Sequence, residues 1–335
     1  MTDAQPLPRR IEATNEDLDR GREAAHAIAA DVLGHDPGPL TAAASLSQYV
    51  YLGADVVVKL AHAAAHDRLD RETTLASHLP PGLGAPLLAS GRRQVGRGEV
   101  RYGLFTRVPG ASPGVGLPDL DAGAAQHLIE QAVARLTELH AWTPAGVAER
   151  TLRESPVFEG FNGRDALLAE ADRIAAFLPR RLTDGLAAIA DGGPERVRAD
   201  VPVHADCDWG NWLVHERSVT ALLDFERARF GEPADDWVLL ALTSGQHIDI
   251  VLSAIVAMTA TEPRALRAAC ELRHAAFLAE DIRFAVERAP APAWLGQRIR
   301  GLEEVVVGRA WWQPAVRVAP IEYDNVPVAP TTGGP

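Results

Sequence analysis

Residues 203–226 read VHADCDWGNWLVHERSVTALLDFE. The segment places Asn211 five residues after Asp206, and Asp224 follows two short apolar runs. Because a polar turn at 215–218 separates those runs, they predict a β-hairpin that folds Asp224 back beside Asn211. Phosphoryl transfer uses a carboxylate that orients the attacking hydroxyl, and oxygen ligands that hold Mg²⁺ against the phosphates. The segment therefore indicates Asp206 as the catalytic base and Asn211 with Asp224 as metal ligands.

The chain has 33 basic Lys and Arg side chains, but only one is a lysine, Lys59, which ends the apolar run 56–58. A compact ammonium fits sites that a broad guanidinium does not, although a lone lysine can also arise by chance. The helix predicted at 67–79 carries Glu72 on its apolar stripe. A carboxylate there is costly unless it is paired, so we expect an ion pair between Lys59 and Glu72. The alternative is that Glu72 lies at the edge of the stripe, in water.

A region with strands precedes a larger region of helices. Strands are predicted on both sides of a turn at 53–55, and again at 99–108. The Gly/Pro-rich segment 109–118 marks a boundary. Apolar periodicity predicts further helices at 17–33, 121–139, 163–177 and 248–286, the last with a break near Pro263. We expect a nucleotide-binding small lobe at 1–105 and a linker at 106–118. A helical lobe is expected at 119–320, followed by a disordered tail at 321–335.

Three motifs carry a family resemblance. HADCDWGN, then LLDFE, then GEPADD at 231–236 resemble the catalytic and metal-binding motifs of the aminoglycoside phosphotransferase family, which is related to protein kinases. The resemblance covers about residues 40–285. It implies an α+β, two-lobed protein-kinase-like fold, with a small lobe built on an antiparallel sheet and a larger, mostly helical lobe. Ala205 stands where the family usually has glycine, and residues 207–209 also depart from the family pattern beside the base.

The resemblance also implies the position of a nucleotide, ATP or GTP, bound with Mg²⁺. Ser47, in the segment 45–48, is the candidate for phosphate contact, because the chain has no Gly-x-Gly-x-x-Gly motif. By the same resemblance, backbone groups of Thr106 and Val108 would hydrogen-bond the nucleotide base.

Other polar residues near the base have competing interpretations. The resemblance favours a structural role for His204, as a hydrogen-bond partner of nearby backbone. Cys207 has no neighbour that would lower its pKa, so a thiol nucleophile is not expected. Asp236 is expected to be structural, capping a helix that begins near Trp237. Asp208 is the candidate for contact with the substrate.

Charge and composition limit the kinds of partner that the protein is expected to bind. The net charge is −12, and residues 204–236 hold eight carboxylates against three arginines. This balance gives no support for a nucleic-acid partner and would attract a cationic acceptor. Two cysteines cannot form a disulfide framework, and their spacing does not resemble a zinc site. Without a secretory signal or an apolar run of membrane-spanning length, a cytoplasmic location and no membrane partner are expected.

The sequence therefore predicts an ATP-Mg²⁺-dependent O-phosphotransferase acting on a hydroxyl of a small molecule. The resemblance points to an antibiotic or an aminoglycoside-like compound as acceptor. Two alternatives stay open: a primary-metabolite kinase for an amino alcohol or sugar, and a pseudokinase that binds a nucleotide without turnover. The pattern specifies neither the acceptor hydroxyl nor an oligomeric state.

Overall fold

The structure is a computed structural model that describes residues 7–45, 47–62, 68–154, 160–288, 290 and 292–313. The tail predicted at 321–335 lies outside the described residues. None of the described helices is long and apolar enough to cross a membrane.

Five strands form an antiparallel sheet in the order β1-β2-β3-β5-β4. They are β1 (Thr41–Ala42), β2 (Tyr49–Leu52), β3 (Val56–His62), β4 (Leu87–Val95) and β5 (Gly98–Thr106). The strands predicted on both sides of the turn at 53–55 and at 99–108 are confirmed. Strand β4 was not predicted, because it lies at the sheet edge and none of its side chains is fully buried. An edge strand of this kind lacks the apolar alternation that reveals a strand in sequence.

Two helices pack on this sheet. They are α1 (Asn15–Leu33), which begins with a Thr14–Asp17 capping box, and α2 (Arg68–Ala76). Successive side chains of a strand point to opposite faces, so Val58 and Leu60 share a hydrophobic cluster with α1. Lys59, between them, lies on the other face and reaches α2. The alternation of side chains along β3 thus places Lys59 on the face of the sheet that packs against α2.

The larger part of the chain is mostly helical. Its helices are α3 (Ala122–Ala141), α4 (Val147–Arg153), α5 (Arg164–Ile174), α6 (Arg180–Asp191), α7 (Ala234–Leu242), α8 (Ile248–Thr259), α9 (Pro263–Val286) and α10 (Leu295–Val306). Two small antiparallel sheets lie among them, formed by β6 (Val201–Val203) with β9 (Arg229–Gly231) and by β7 (Trp212–His215) with β8 (Ser218–Leu222). The hairpin predicted after Asn211 is confirmed, and so is the helix break near Pro263. Helices α4, α6 and α10 and strands β1 and β9 were not predicted.

The architecture is mixed α+β, and each of the two lobes has its own hydrophobic cluster. The connection between them is held firmly at the β7–β8 hairpin. Ala111 pairs with Val214 through two backbone hydrogen bonds of 3.1 and 2.9 Å. Gly110, at φ 127°, allows this approach, since a Cβ there would lie 2.8 Å from the Val214 carbonyl oxygen. The proposed lobe boundaries at 105 and 118 stay predictions, and Leu75 of α2 belongs to the cluster of the larger lobe.

Candidate active site

The strand β3, the helix α2 and the end of β8 meet at Lys59. Its Nζ lies 2.6 Å from Glu72 Oε1 and 3.2 Å from Asp224 Oδ1. The predicted ion pair between Lys59 and Glu72 is therefore present. Asp224 follows β8 in the left-handed backbone region, at φ 68°, and this turn delivers its carboxylate to a residue 165 positions earlier in the chain. We call Lys59, Glu72 and Asp224 the cleft cluster.

The cleft cluster contains more acidic groups than the single ammonium can pair. Burial raises the pKa of Glu72 to about 7 against the opposing effect of Lys59, and the nearby Asp224 carboxylate adds to the increase. Burial alone would lower the pKa of Lys59, but Asp224 and Glu72 together raise it above its usual range. Glu72 Oε2 is buried and has no hydrogen-bond partner among the described residues. The cluster therefore retains acceptor capacity that a cation or a ligand donor could use.

Asp206 and Asn211 lie on the loop that joins β6 to β7. Asn211 Nδ2 donates to the Asp206 carbonyl oxygen at 2.7 Å, so Oδ1 is the atom of this amide suited to a metal. The backbone N–H of Leu223 donates to the Asn211 carbonyl oxygen at 2.8 Å, which fixes the loop to the segment that leads into Asp224. The predicted return of the hairpin therefore brings the Asn211 backbone beside the Leu223–Asp224 step.

The Asp206 carboxylate is half-buried, and the charges of Arg227 and of the carboxylates Asp208, Asp224 and Glu226 act on it. Burial raises its pKa to about 7, and the opposing charge of Arg227 limits the increase. Arg227 Nε lies 3.7 Å from Asp206 Oδ2. A carboxyl group with a pKa near neutrality can accept a proton from a substrate hydroxyl and release it again.

A fully buried carboxylate, Asp236, shapes this loop. Its oxygens accept hydrogen bonds from the backbone N–H groups of His204 at 3.0 Å and Ala205 at 2.7 Å. His140 Nε2 is 2.9 Å from Asp236 Oδ2 and donates the third hydrogen bond. Burial alone would raise the pKa of Asp236, but these donors lower it. We call Asp236, His140, His204 and Ala205 the Asp236 hub.

The predicted capping role of Asp236 is wrong. Helix α7 begins at Ala234, so Asp236 lies inside the first turn, and its carboxylate points back to the loop. The structural role expected for Asp236 is nevertheless present. Ala205 has φ 63°, in the region that favours glycine, and the two hydrogen bonds to Asp236 hold it there.

His204 takes the structural role expected of it, whereas the substrate contact expected of Asp208 stays a prediction. The Asp206 N–H donates to His204 Nδ1 at 3.2 Å, so His204 Nε2 carries its proton and donates to the Leu223 carbonyl oxygen at 2.8 Å. Burial lowers the pKa of His204 and keeps it neutral. Cys207 is fully buried and burial raises its thiol pKa well above the usual value, which excludes a thiolate nucleophile. Asp208 Oδ1 accepts from the Gly210 N–H at 2.5 Å, and burial raises its pKa.

The residues predicted to bind a nucleotide lie at two places in the small lobe. Ser47 is half-buried in the loop between β1 and β2. Thr106 ends β5, and its N–H already donates to the Pro86 carbonyl oxygen at 2.8 Å. A nucleotide base would therefore have to use the carbonyl oxygen of Thr106 instead. Val108 is half-buried in the segment that follows β5.

Sequence reasoning missed a second set of contacts between the lobes. Arg71, buried on α2, donates to the carbonyl oxygens of Thr151 at 2.7 Å and Ala228 at 2.8 Å. Glu226 is also buried, and its carboxylate accepts from Gln48 and Arg68. No local pattern marks these residues, because their partners lie far away in the chain. The only available signal was the position of Glu226, two residues after Asp224.

The fold has two lobes, with a lysine–carboxylate pair on the sheet of one lobe and a loop with Asp206 and Asn211 in the other. Together these features define a kinase-like phosphotransferase architecture. Residues 40–272 match the model of the phosphotransferase enzyme family, and the chain belongs to this family of enzymes that transfer phosphate to an alcohol group. Comparison with curated protein sequences found no match.

Solved structures show the same fold at low sequence identity. The GDP and kanamycin complex of the aminoglycoside phosphotransferase APH(2")-IIIa is 17% identical, with TM-score 0.61, over 84% of this chain and 98% of that one. The macrolide 2'-phosphotransferase MphH from Brachybacterium faecium is 20% identical, with TM-score 0.56, over 87% and 98%. The streptomycin and ATP complex of APH(2")-IIa is 15% identical, with TM-score 0.57, over 85% and 97%. These similarities establish the two-lobed kinase-like fold.

Proposed function

We propose that this chain transfers the γ-phosphoryl group of a nucleoside triphosphate, bound with Mg²⁺, to a hydroxyl of a small molecule. The observation that carries the proposal is the contact of Lys59 with both Glu72 and Asp224, at 2.6 and 3.2 Å. An ammonium held between two carboxylates is fixed in position, and it can bind phosphate oxygens when the nucleotide enters.

The residues present fit a magnesium ion. No group of three or more His, Cys, Asp or Glu side chains that could hold a metal occurs in the part of the chain that the structure describes. Mg²⁺ needs no such group, since one or two protein oxygens together with phosphate and water oxygens suffice. Asn211 Oδ1 and the Asp224 carboxylate, which is 32% exposed, would supply those protein oxygens. The ion would neutralise charge on the phosphates.

Asp206 would act as the base. The acceptor hydroxyl would donate its proton to the Asp206 carboxylate while its oxygen attacks the γ-phosphorus and the bond to the leaving nucleoside diphosphate breaks. With a pKa of about 7, Asp206 accepts this proton more readily than an ordinary aspartate would. The charge of Arg227, 3.7 Å away, opposes this increase in the pKa of Asp206 and favours the ionised carboxylate.

The nucleotide would extend from the β5 end to the β1–β2 loop. The Thr106 carbonyl oxygen and backbone groups of Val108 would hold the base, and Ser47 would contact the phosphates. Both ATP and GTP stay open for this chain, because similar structures were solved with GDP and with ATP.

The acceptor is proposed to be an antibiotic or a related polyhydroxy or amino compound, and the activity would then provide resistance or self-protection. Support comes from the family and from similar folds solved with kanamycin and streptomycin or named for macrolides. Asp208, which is half-buried beside Asp206, would contact a cationic group of such an acceptor. A panel of aminoglycosides, macrolides, amino alcohols and sugars, assayed for a phosphate mass increase, separates this proposal from a primary-metabolite kinase.

The decisive test is Asp206→Ala. Loss of the base should lower kcat by about three orders of magnitude, while the Kd for the nucleotide changes less than about threefold. Glu216→Gln, which changes an exposed carboxylate of the same segment, is the matched control and should retain full activity. Normal turnover of Asp206→Ala would remove Asp206 from the mechanism. Nucleotide binding by the unmodified chain without product from any acceptor would support a pseudokinase.

A further inference from the structure

Glu226 joins three separate elements of the two lobes. It lies in the short helical turn Phe225–Arg227, two residues beyond Asp224, and is only 6% exposed. Its Oε2 accepts from Gln48 Nε2 at 2.9 Å, and its Oε1 accepts from Arg68 at 3.2 Å. The two oxygens therefore hold different parts of the small lobe.

The first partner, Gln48, fixes the end of the connection between β1 and β2. This residue ends the connection between β1 and β2 and is 3% exposed. Two residues later, Val50 is the cross-strand neighbour of Lys59. Through Gln48, the carboxylate of Glu226 sets the position of the loop that carries Ser47 relative to Lys59.

The second partner, Arg68, fixes the start of α2. Glu72 follows one helical turn later on the same face of α2, because residues four apart are neighbours on a helix. Arg71 adds a further contact, since its Nε donates to the Glu226 carbonyl oxygen at 3.4 Å. The placement of Glu72 against Lys59 therefore depends on the segment that contains Glu226.

Burying the carboxylate of Glu226 at this position costs free energy. It lies close to the Asp224 carboxylate, and a buried ion pair is often no more stabilising than an apolar group of equal volume. An amide or an apolar residue would avoid the repulsion but could not accept from both Gln48 and Arg68 with the same strength. The charge therefore contributes to the geometry of the cleft more than to the stability of the fold.

We propose that Glu226 is a positioning residue for the phosphotransfer described above, on which this inference rests. It holds the β1–β2 loop and the start of α2 in register with Asp224, so that the nucleotide phosphates are bound in one geometry. Glu226 contacts neither the nucleotide nor the acceptor in this assignment.

The kinetic test compares Glu226→Ala and Glu226→Gln with the unmodified enzyme. Glu226→Ala should raise KM for the nucleotide about tenfold, which corresponds to about 1.4 kcal/mol, and leave KM for the acceptor within about twofold. Glu226→Gln, which keeps the shape, should show a smaller increase. Glu271→Ala, a buried glutamate on α9, is the control for a loss of stability alone and should leave the ratio of the two KM values unchanged.

A charge exchange tests the contact with Gln48 directly. Gln48→Glu should place two carboxylates together and raise KM for the nucleotide, and adding Glu226→Gln should restore most of the affinity. This rescue also keeps the proposal testable if Glu226→Ala does not fold. Failure of the double variant to recover, with both single variants impaired, would overturn the assignment.

Hydrogen exchange gives a readout that does not need turnover. In Glu226→Ala, the amides at 47–52 and 68–76 should exchange faster than in the unmodified chain, and in Glu271→Ala they should not. Unchanged exchange in these segments together with unchanged KM values would refute the positioning role. If the unmodified chain phosphorylates nothing, the proposed function fails, while the exchange measurement still decides whether Glu226 holds the two segments.

Discussion

The cleft cluster and the Asp236 hub are two acidic centres that differ in how completely their carboxylates are hydrogen-bonded. Asp236 is fully buried, accepts from two backbone N–H groups and from His140, and has a lowered pKa. Asp224 is about one-third exposed, and its pKa is lowered because Lys59 outweighs the effect of burial. Glu72 beside it has a raised pKa and one oxygen without a hydrogen-bond partner in the part of the chain that the structure describes. The Asp236 carboxylate accepts hydrogen bonds from three donors, whereas Glu72 and Asp224 share the ammonium of Lys59.

The difference indicates which centre serves structure and which serves a ligand. A buried carboxylate with complete hydrogen bonding stabilises its surroundings, and removing it leaves donors without acceptors. A carboxylate group with incomplete pairing costs free energy in the empty protein and gains partners when a cation or a donor arrives. The hub shapes the loop that carries Asp206, and the cleft cluster is available for binding.

The largest effect that would test this division is on activity. Asp224→Asn should lower kcat by about three orders of magnitude, since the site would lose the charged ligand proposed for the metal. Its free energy of unfolding should change by less than about 1 kcal/mol, because repulsion from Glu72 and Glu226 is relieved as the Lys59 contact weakens. Steady-state kinetics and urea unfolding measure both. A large loss of stability would show that the cleft cluster is a structural centre like the hub.

The next effect should be on stability. Asp236→Ala should lower the free energy of unfolding by about 3 kcal/mol, because His140 and two backbone N–H groups lose their acceptor. Urea unfolding followed by tryptophan fluorescence provides the measurement, and Asp184→Ala, at an exposed position on α6, is the control. An unfolding free energy equal to that of the control would remove the structural role of the Asp236 hub.

The smallest expected effect is a loss of folding stability as the pH falls. Burial lowers the pKa of His274 from its usual 6.5 to about 3, and burial also lowers that of His204 in the hub. A histidine whose folded pKa is depressed supports full stability above about pH 6.5 and loses it as the pH falls, since the unfolded state binds more protons. From pH 7 to pH 5, His274 alone should cost about 2 kcal/mol.

Thermal unfolding of the unmodified chain and of His274→Gln across this pH range measures that loss. The variant should lose less stability than the unmodified chain, and the loss that persists should include the contribution of His204. Parallel curves for the two proteins would show that His274 is not kept neutral by the fold.

Much of the fold was predictable because its signals are local. The turn at 53–55 lies between two apolar runs, and the hairpin after Asn211 has the same organisation. Helix α1 has its capping box and ends at Gly34 in the left-handed conformation. Strand β4 and the short strands β1 and β9 escaped prediction, because an exposed edge and segments of two or three residues leave no readable period.

The site residues could be predicted from the sequence for a similar reason. Asp206, Asn211 and Asp224 lie within one short segment, and Lys59 stood out because it is the only lysine. The capping role predicted for Asp236 was wrong because the pattern shows that a carboxylate precedes an apolar run, not which donors lie behind it. Glu226, Arg68 and Arg71 could not be predicted, since their interactions join residues 80 to 178 positions apart.

The sequence by itself determined the long helices and the two hairpins, the face of β3 on which Lys59 lies and the motif that contains Asp206. These follow from side-chain periodicity and turn chemistry, which act over a few residues. Only the tertiary structure decided the pairing of Lys59 with Asp224, the protonation tendencies of Glu72 and Asp206, and the contacts of Glu226. Those properties depend on burial and on charges from distant segments, and neither exists until the chain has folded.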